Sequence, residues 1–325
     1  MKYRLLGKTG IRVSEIGYGT WGLGGDSYGP ISDDTSIACL RRAHELGVNF
    51  YDTSDLYGAG HSEEVIGRAF HSNREKVILA TKVGLLPHTG FYMPQDLSPK
   101  YIKKALEASL RRLNTDYVDL YQLHSPEVAY LKEHPEVFDA LDELRVKQKV
   151  RNIGLSARSP LDAMELLKLY PFASVQVNFN LIDHRGVDNG LFALAKKENI
   201  GIIARTPLCF GYLTGKLSGK KDFKGQDHRA NWPEDQLNRW ANAPGLFDAL
   251  LKKKAYSPSQ LALSFCLQPD AVSTTVPGMM QLIEVEQNVA CSDLPKLSND
   301  DIHEIKRIYQ SNTFFDKTAK DRGRQ

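Results

Sequence analysis

Cysteine is scarce and scattered: Cys39, Cys209, Cys266 and Cys291 are the only four in 325 residues, and no two form a C-x-x-C pair. That spacing suggests neither a disulfide framework nor a zinc site, so no metal is expected and buried free thiols in a reducing compartment are. Long apolar runs are missing too. None approaches the roughly 20 residues that a membrane-spanning helix requires, and Met1-Lys2-Tyr3-Arg4-Leu5-Leu6-Gly7 breaks at a glycine before a signal-peptide core forms. Nor is there an excess of one charge: 42 basic against 39 acidic residues leave +3, too small and too mixed to draw nucleic acid or a membrane surface. With no linker, low-complexity run or short-period repeat, the expectation is one soluble cytoplasmic domain spanning 1–325.

What is present is ordinary globular composition, 42% hydrophobic and 25% charged, in a chain long enough for one large barrel. Tyr3-Arg4-Leu5-Leu6 and Ile11-Arg12-Val13 flank Gly7-Lys8-Thr9-Gly10 as a small hairpin. A strand over 16–19 then leads to a helix capped by Ser32, with Ile37, Leu40, Ala43 and Leu46 at helical spacing and Gly47 as its stop. The unit repeats. Strands are expected at 48–51, 76–81, 117–123, 150–155, 173–179, 200–204 and 272–276, with helices near 62–70, 136–146 and 186–197 and others opened by Ser98-Pro99 and Ser159-Pro160. Short β-rich runs alternating with helices argue for a parallel sheet, and eight such units predict an α/β fold, a closed (β/α)8 TIM barrel with an N-terminal β-hairpin. Residues 206–256, rich in glycine and containing Trp232 and Pro233, read as a long loop after the seventh strand, and 312–325 as a polar tail.

Gly17-Tyr18-Gly19-Thr20-Trp21-Gly22 matches the dinucleotide fingerprint G-x-G-x-x-G, but its context fails. That fingerprint needs a helix to begin at once and receive the pyrophosphate, whereas Gly24, Gly25, Gly29 and Pro30 follow. These glycines are instead expected to let a loop lie close to a ligand. The polar residues at the C-terminal ends of the strands say more. Asp52 follows strand two, Lys82 ends strand three, His124 ends strand four, Ser156 follows strand five, Gln176 and Asn178 lie on strand six, and Thr206 follows strand seven. In a barrel that is the catalytic face. Singly, each has a plain structural use, Lys82 as a surface amine and the amides as loop braces; their convergence on one rim is what points to chemistry.

Asp52-Thr53-Ser54-Asp55-Leu56-Tyr57-Gly58, Thr81-Lys82 and Leu123-His124 resemble, in order and context, the Asp, Tyr, Lys and His of the aldo-keto reductases, including the branch of the potassium-channel β-subunits. Val175-Gln176-Val177-Asn178-Phe179-Asn180 and Pro207-Leu208 through Lys216 are similar to that family's cofactor segments. The resemblance implies that Tyr57 is the proton donor, that Lys82, anchored by Asp52, tunes it downward from its ordinary pKa of about 10, and that His124 orients the carbonyl. The hydride must come from a cofactor. By the same resemblance, Ser156, Gln176 and Asn178 hold the carboxamide, and Arg205 stacks on the nicotinamide face. Gly19, Thr20, Trp21 and Asp52 lie beside the cofactor. Thr206, Pro207, Leu208, Gly211, Leu213, Gly215 and Lys216 take its pyrophosphate, and Gly278, Met280, Glu284 and Asn288 its adenosine end.

Two positions depart from the family pattern. Ala157 stands where many relatives carry asparagine, and Met280 where many carry an arginine for the adenosine 2′-phosphate; no Lys or Arg occurs from Ala255 to Pro295. NADP(H) is therefore favoured on resemblance, with NAD(H) left open. Trp21, Tyr28, Leu85, Phe91, Tyr92 and Trp232, beside Tyr57 and His124, are the candidate substrate lining. The leading expectation is an NAD(P)H-dependent reductase of an aldehyde, ketone or sugar carbonyl. Alternatives are a cofactor-binding regulatory subunit with little turnover, and an aldolase with Lys82 as Schiff-base nucleophile, which a neighbouring Asp52 opposes by keeping the amine charged.

Overall fold

The computed structural model describes residues 1–88, 92–217, 222, 223, 225 and 227–315; Phe91 and residues 316–325 lie outside them. Two short strands open the chain, β1 (Tyr3–Leu5) and β2 (Arg12–Ser14), antiparallel with Arg4 opposite Val13. Eight parallel strands follow: β3 (Tyr18–Gly19), β4 (Phe50–Asp52), β5 (Ile78–Val83), β6 (Val118–His124), β7 (Val150–Ser156), β8 (Ser174–Asn178), β9 (Gly201–Arg205) and β10 (Val272–Thr275). Each pairs with the next in chain order. The first meets the last through Ile16–Thr275 and Gly19–Gly278 bridges, with the Gly17 and Gly19 amides donating to Thr275 and Pro277 at 2.8 and 3.0 Å. The sheet closes on itself as the expected (β/α)8 barrel.

Seam closure is what the glycine motif serves. A Cβ on Gly19 would lie 2.7 Å from the Val276 carbonyl oxygen, and one on Gly22 would lie 2.8 Å from Met280 Sδ. At Gly19 and Gly22 the space a side chain would take is filled by the protein itself, whereas Gly25 and Gly29 face open space. The first helix begins only at Asp33, capped by Ser32.

Alternation along the strands separates two cores. Phe50, Ala80, Leu120 and Ile203 point into the barrel, where Leu6 and Val13 of the hairpin plug its N-terminal mouth. Burying each of these two side chains contributes about 1.5–3 kcal/mol. Their neighbours Tyr51, Leu79, Tyr121 and Ile202 face outward against the helices. Serine side chains cap the helices Pro99–Leu113, Pro160–Leu166, Pro258–Cys266 and Asn299–Gln310, at Ser98, Ser159, Ser257 and Ser298. All four cysteines are buried and free. No helix among the described residues is long and apolar enough to cross a membrane.

Several boundaries differ from expectation. Arg74–Lys76 forms a 3-10 turn held by Arg74 donating to Tyr117 O at 2.9 Å, so the third barrel strand runs 78–83 rather than 76–81 and contains Lys82. The helix expected near 186–197 splits into Arg185–Asp188 and Leu191–Lys197 at Gly190, whose φ of +83° breaks it. The expected 206–256 loop carries helices Glu234–Asn242 and Asp248–Lys254, because Leu237, Trp240, Phe247 and Leu250 are buried in the main core, Trp240 against Phe210, Tyr212 and Trp232. The tail's beginning is docked as well: Phe314 is buried, with its carbonyl accepting from Gln236, and Phe315 meets the Trp240 ring at 6.0 Å.

Candidate active site

Two residues beyond each inward apolar side chain, the same strand turns polar. Phe50 gives way to Asp52, Ala80 to Lys82, Leu120 to Gln122 and then His124, and Ile203 to Arg205. Because side chains repeat with period two, all of these face the barrel axis at its C-terminal end. Register makes them neighbours: Lys82 pairs with Gln122, His124 with Ser156, Ser156 with Gln176, and Asn178 with Arg205.

Lys82 is wholly buried. Its Nζ donates to Asp52 Oδ2 at 2.7 Å, to Thr53 O at 2.8 Å and to Tyr57 Oη at 3.1 Å, which uses all three of its hydrogens. The other carboxylate oxygen, Asp52 Oδ1, accepts from Gln176 at 2.8 Å and Gln122 at 3.1 Å. Tyr57 itself comes from a 3-10 turn after β4. Its neighbour Gly58 (φ +59°) lies against Gly24, whose Cβ would come within 2.6 Å of the Gly58 nitrogen. Two loops cross backbone to backbone there, and the crossing sets where the phenol stands.

Burial is the largest influence on Tyr57 and holds its phenol above the ordinary value; Lys82 pulls it down only in part, and Asp52 pushes it up. The downward tuning expected from Lys82 is present but outweighed. Lys82 is raised although burial opposes this, because Asp52 and Tyr57 favour the ammonium. His124 is held well below its ordinary value by burial, then by Lys82, Arg205 and His88, so its ring is neutral. Its Nδ1 lies 3.3 Å from Ser54 Oγ, and its ring centroid is 6.2 Å from that of Tyr57. Arg205 is fixed flat by three acceptors: Asn178 Oδ1 at 2.9 Å, Ser156 Oγ at 3.1 Å and Ala157 O at 2.9 Å. Ala157 thus contributes its carbonyl, not a side chain.

A cleft of about 1530 Å³ opens on this rim. Asp52, Tyr57 and His124 line it, as do Gly19, Thr20 and Trp21. So do Gln176, Asn178, Arg205 and Thr206, then Pro207, Leu208, Gly211 and Lys216, then Gly278, Met280, Glu284 and Asn288. Ser156, Leu213 and Gly215 do not reach it: Ser156 lies behind Gln176 and Arg205, Leu213 is packed in the core, and Gly215 ends a turn at φ +76°. Of the candidate substrate residues, Tyr28, Leu85 and Trp232 line the cleft, whereas Tyr92 is 68% exposed outside it. Left-handed backbone gathers on the same rim, at Ala59, Ser125, Thr206, Cys209 and Phe210. Such strain, about 1–3 kcal/mol each, is characteristic of functional loops.

The model of the Aldo/keto reductase family matches residues 15–310. This chain belongs to the aldo/keto reductase family. It is 32% identical over 325 residues to the aldo-keto reductase YhdN of Bacillus subtilis, covering 97% of this chain and 96% of that one. With L-galactose dehydrogenase of Arabidopsis thaliana it shares 33% identity over 322 residues, 95% of each chain. The solved structure of a glycerol dehydrogenase from Gluconobacter oxydans superimposes with a TM-score of 0.80 at 29% identity, covering 97% of this chain and 96% of that one. As a member of this family the chain is an oxidoreductase.

In this aldo/keto reductase, Trp21, Tyr28 and Trp232 of the expected lining are joined into one aromatic wall by two residues not singled out in the sequence, Phe210 and His228. Trp21 meets Tyr28 at 5.3 Å, His228 at 4.4 Å and Phe210 at 6.3 Å between ring centroids, and Phe210 meets Trp232 at 5.8 Å. Arg229, paired to Asp227 at 2.6 Å, donates to Phe210 O at 3.1 Å and lies over the Tyr28 ring at 5.1 Å. His228 and Phe210 carried no spacing signal. Gln122 could have been found, since it sits on the strand that ends in His124 at the inward parity.

Proposed function

We propose that this protein is an NAD(P)H-dependent reductase of an aldehyde, ketone or sugar carbonyl, running reversibly towards the alcohol. The observation that carries the reading is the buried chain Asp52–Lys82–Tyr57 at 2.7 and 3.1 Å, ending beside a neutral His124 in one cleft. A phenol held above its ordinary value stays protonated at neutral pH and has a proton to give. As Tyr57 delivers that proton, Lys82 stabilises the phenolate that forms, and Asp52 keeps the ammonium charged and in place. His124 supplies the second hydrogen bond to the substrate oxygen.

The residues present fit a nicotinamide cofactor. The cleft exceeds the roughly 300–1,000 Å³ usual for one small ligand, which leaves room for cofactor and substrate together. A Cβ on Gly278 would enter open space with only Gly19 O, at 3.9 Å, nearby. When bound, the cofactor supplies the hydride that no side chain can. Gln176 and Asn178 would hold its carboxamide, the flat Arg205 its ring face, the 206–216 turn with Lys216 its phosphates, and Asn288 its adenosine end. NADP(H) is the favoured form, with NAD(H) admitted: Met280 offers no charge, and Glu284, bound to the Met280 amide at 3.0 Å and 3.5 Å from Lys216 Nζ, suits a ribose hydroxyl.

The names of the plant and Gluconobacter relatives, a sugar and a polyol dehydrogenase, support a polyhydroxylated substrate, as does His228 Nε2 in the aromatic wall, buried and unpartnered among the described residues. The test is a fluorescence titration with NADPH and NADH, followed by an aldehyde and sugar panel with wild type and Tyr57→Phe. Reduction should fall about 10²–10⁴-fold in the variant with cofactor affinity kept. Equal rates would overturn the proton-donor role, and tight cofactor binding without turnover would favour a regulatory subunit.

A further inference from the structure

One hydroxyl behind His124 has more partners than hydrogens. Ser54 Oγ lies 3.1 Å from Asp55 Oδ1 and 3.3 Å from His124 Nδ1, and it accepts the Leu56 N–H at 3.2 Å. A serine has a single O–H. It can therefore donate to Asp55 or to His124, and must accept from the other. Since the His124 ring is neutral, it carries one N–H, and the direction of the Ser54 bond decides which nitrogen holds it.

We propose that Asp55 is a positioning residue which, through Ser54, sets the tautomer that His124 presents to a ligand in the cleft. The inference rests on the reading of His124 as the partner of the substrate oxygen. When Asp55 holds its proton, it donates to Ser54, Ser54 donates to Nδ1, and Nε2–H is left to meet a carbonyl oxygen. When Asp55 is ionised, Ser54 donates to the carboxylate, Nδ1–H donates to Ser54, and the Nε2 lone pair meets an alcohol hydroxyl. Passing from the first state to the second moves the Asp55 proton to Ser54, the Ser54 proton to Nδ1 and the Nε2 proton to solvent. Three protons become two, and no other bond changes.

The surroundings place this change in a useful range. Burial, then Glu63, pushes the Asp55 carboxyl up to about 7, while Ser54, Arg112 and the Leu56 amide restrain it. Glu63, on helix His61–Phe70, is itself paired at 2.6 Å with Arg112 of helix Pro99–Leu113. Tyr101 on that helix and Tyr121 on β6 also feel Asp55, and both phenols are raised, so they remain neutral. Around His124 the charges are Lys82 on β5 and Arg205 on β9, with His88 in the loop after β5. A relay of this kind biases the neutral site towards carbonyl binding at lower pH and alcohol binding at higher pH.

Nitrogen-15 NMR of the full chain labelled at histidine tests it without turnover, the His124 signals being assigned by their loss in His124→Gln. Between about pH 5 and 9 the His124 proton should move from Nε2 to Nδ1 with a midpoint near 7, the ring staying neutral. Asp55→Asn and Ser54→Ala, made separately, should each remove that step. Across the same step KM for a carbonyl should rise, and KM for the alcohol fall, by about tenfold. A tautomer that stays fixed in wild type, or a step that survives both variants, would overturn the proposal. Because the NMR step needs no catalysis, its absence beside a Tyr57-dependent reaction would sink this inference alone, and its presence without reaction would sink only the functional reading.

Discussion

At the Asp52–Lys82 rim, every polar contact except that of Tyr57 is made by a residue on or directly after a barrel strand, so position follows largely from strand pairing; the aromatic wall of Trp21, Tyr28, Phe210, His228 and Trp232 comes from loops far apart in sequence. The rim is buried and cross-linked by hydrogen bonds of 2.7–3.1 Å. The wall is held mainly by ring contacts at 4.4–6.3 Å, with Arg229 and the His228 amide, bonded to Ser27 O at 2.9 Å, as its directional ties. Directional bonds in a closed sheet tolerate little change, whereas ring packing redistributes. On the proposed function, chemistry and selectivity would fall to parts of the molecule with different tolerance.

The comparison breaks hardest at Asp52. Asp52→Asn leaves the Lys82 ammonium buried without its carboxylate, and urea unfolding should show a loss of about 3–5 kcal/mol together with loss of carbonyl reduction. Adding Lys82→Met should restore much of the stability and none of the activity; activity recovering with stability would mean that the rim is scaffold only. Next in size is acid. Burial holds His184, stacked on Tyr309 at 3.9 Å, and His228 in the wall down to about 4. The unfolded chain takes up these protons near pH 6.5 and the folded chain only near 4, so stability complete above 6.5 is lost as pH falls towards 4. For the buried His184 this amounts to about 3 kcal/mol, and His184→Phe should flatten that part of the denaturation profile.

Gly58→Ala should cost about 1–3 kcal/mol, because φ is +59° and the new Cβ meets the Gly24 backbone. It should also lower kcat by shifting Tyr57, while cofactor affinity holds; an unchanged kcat would show that the loop crossing does not position the phenol. The smallest effect is expected at the wall. Trp232→Ala should reorder KM among aldehydes by about tenfold with kcat for the smallest nearly constant, and a collapse of kcat for all of them would make the wall part of the chemistry.

Much of the fold was legible, because strand and helix periods and Ser-Pro helix starts are local signals. The gathering of Asp52, Lys82 and His124 on one rim was legible from their strand-end contexts, while Tyr57 was singled out beside them through the family resemblance. Leu237 and Trp240 were hidden inside an apparent loop because glycine and proline around them masked a short amphipathic stretch, and Phe314 lay in a tail read as polar. The G-x-G-x-x-G run was correctly set aside as a Rossmann signal, yet its actual use, closing the barrel between Gly19 and Val276, depends on a contact more than two hundred residues away in the chain.

The sequence by itself determined the alternation of elements, the inward parity that turns each strand from apolar to polar, and the identity of the groups on the rim, since all of these follow from spacing along the backbone. Only the tertiary structure decided that Gln122 and Gln176 share one oxygen of Asp52 while Lys82 takes the other, and that Ser54 stands between Asp55 and His124. It also decided that burial outweighs Lys82 at the Tyr57 phenol. Hydrogen-bond direction and desolvation are properties of what surrounds a group in space, and the surroundings come from strands and loops that the chain brings together only on folding.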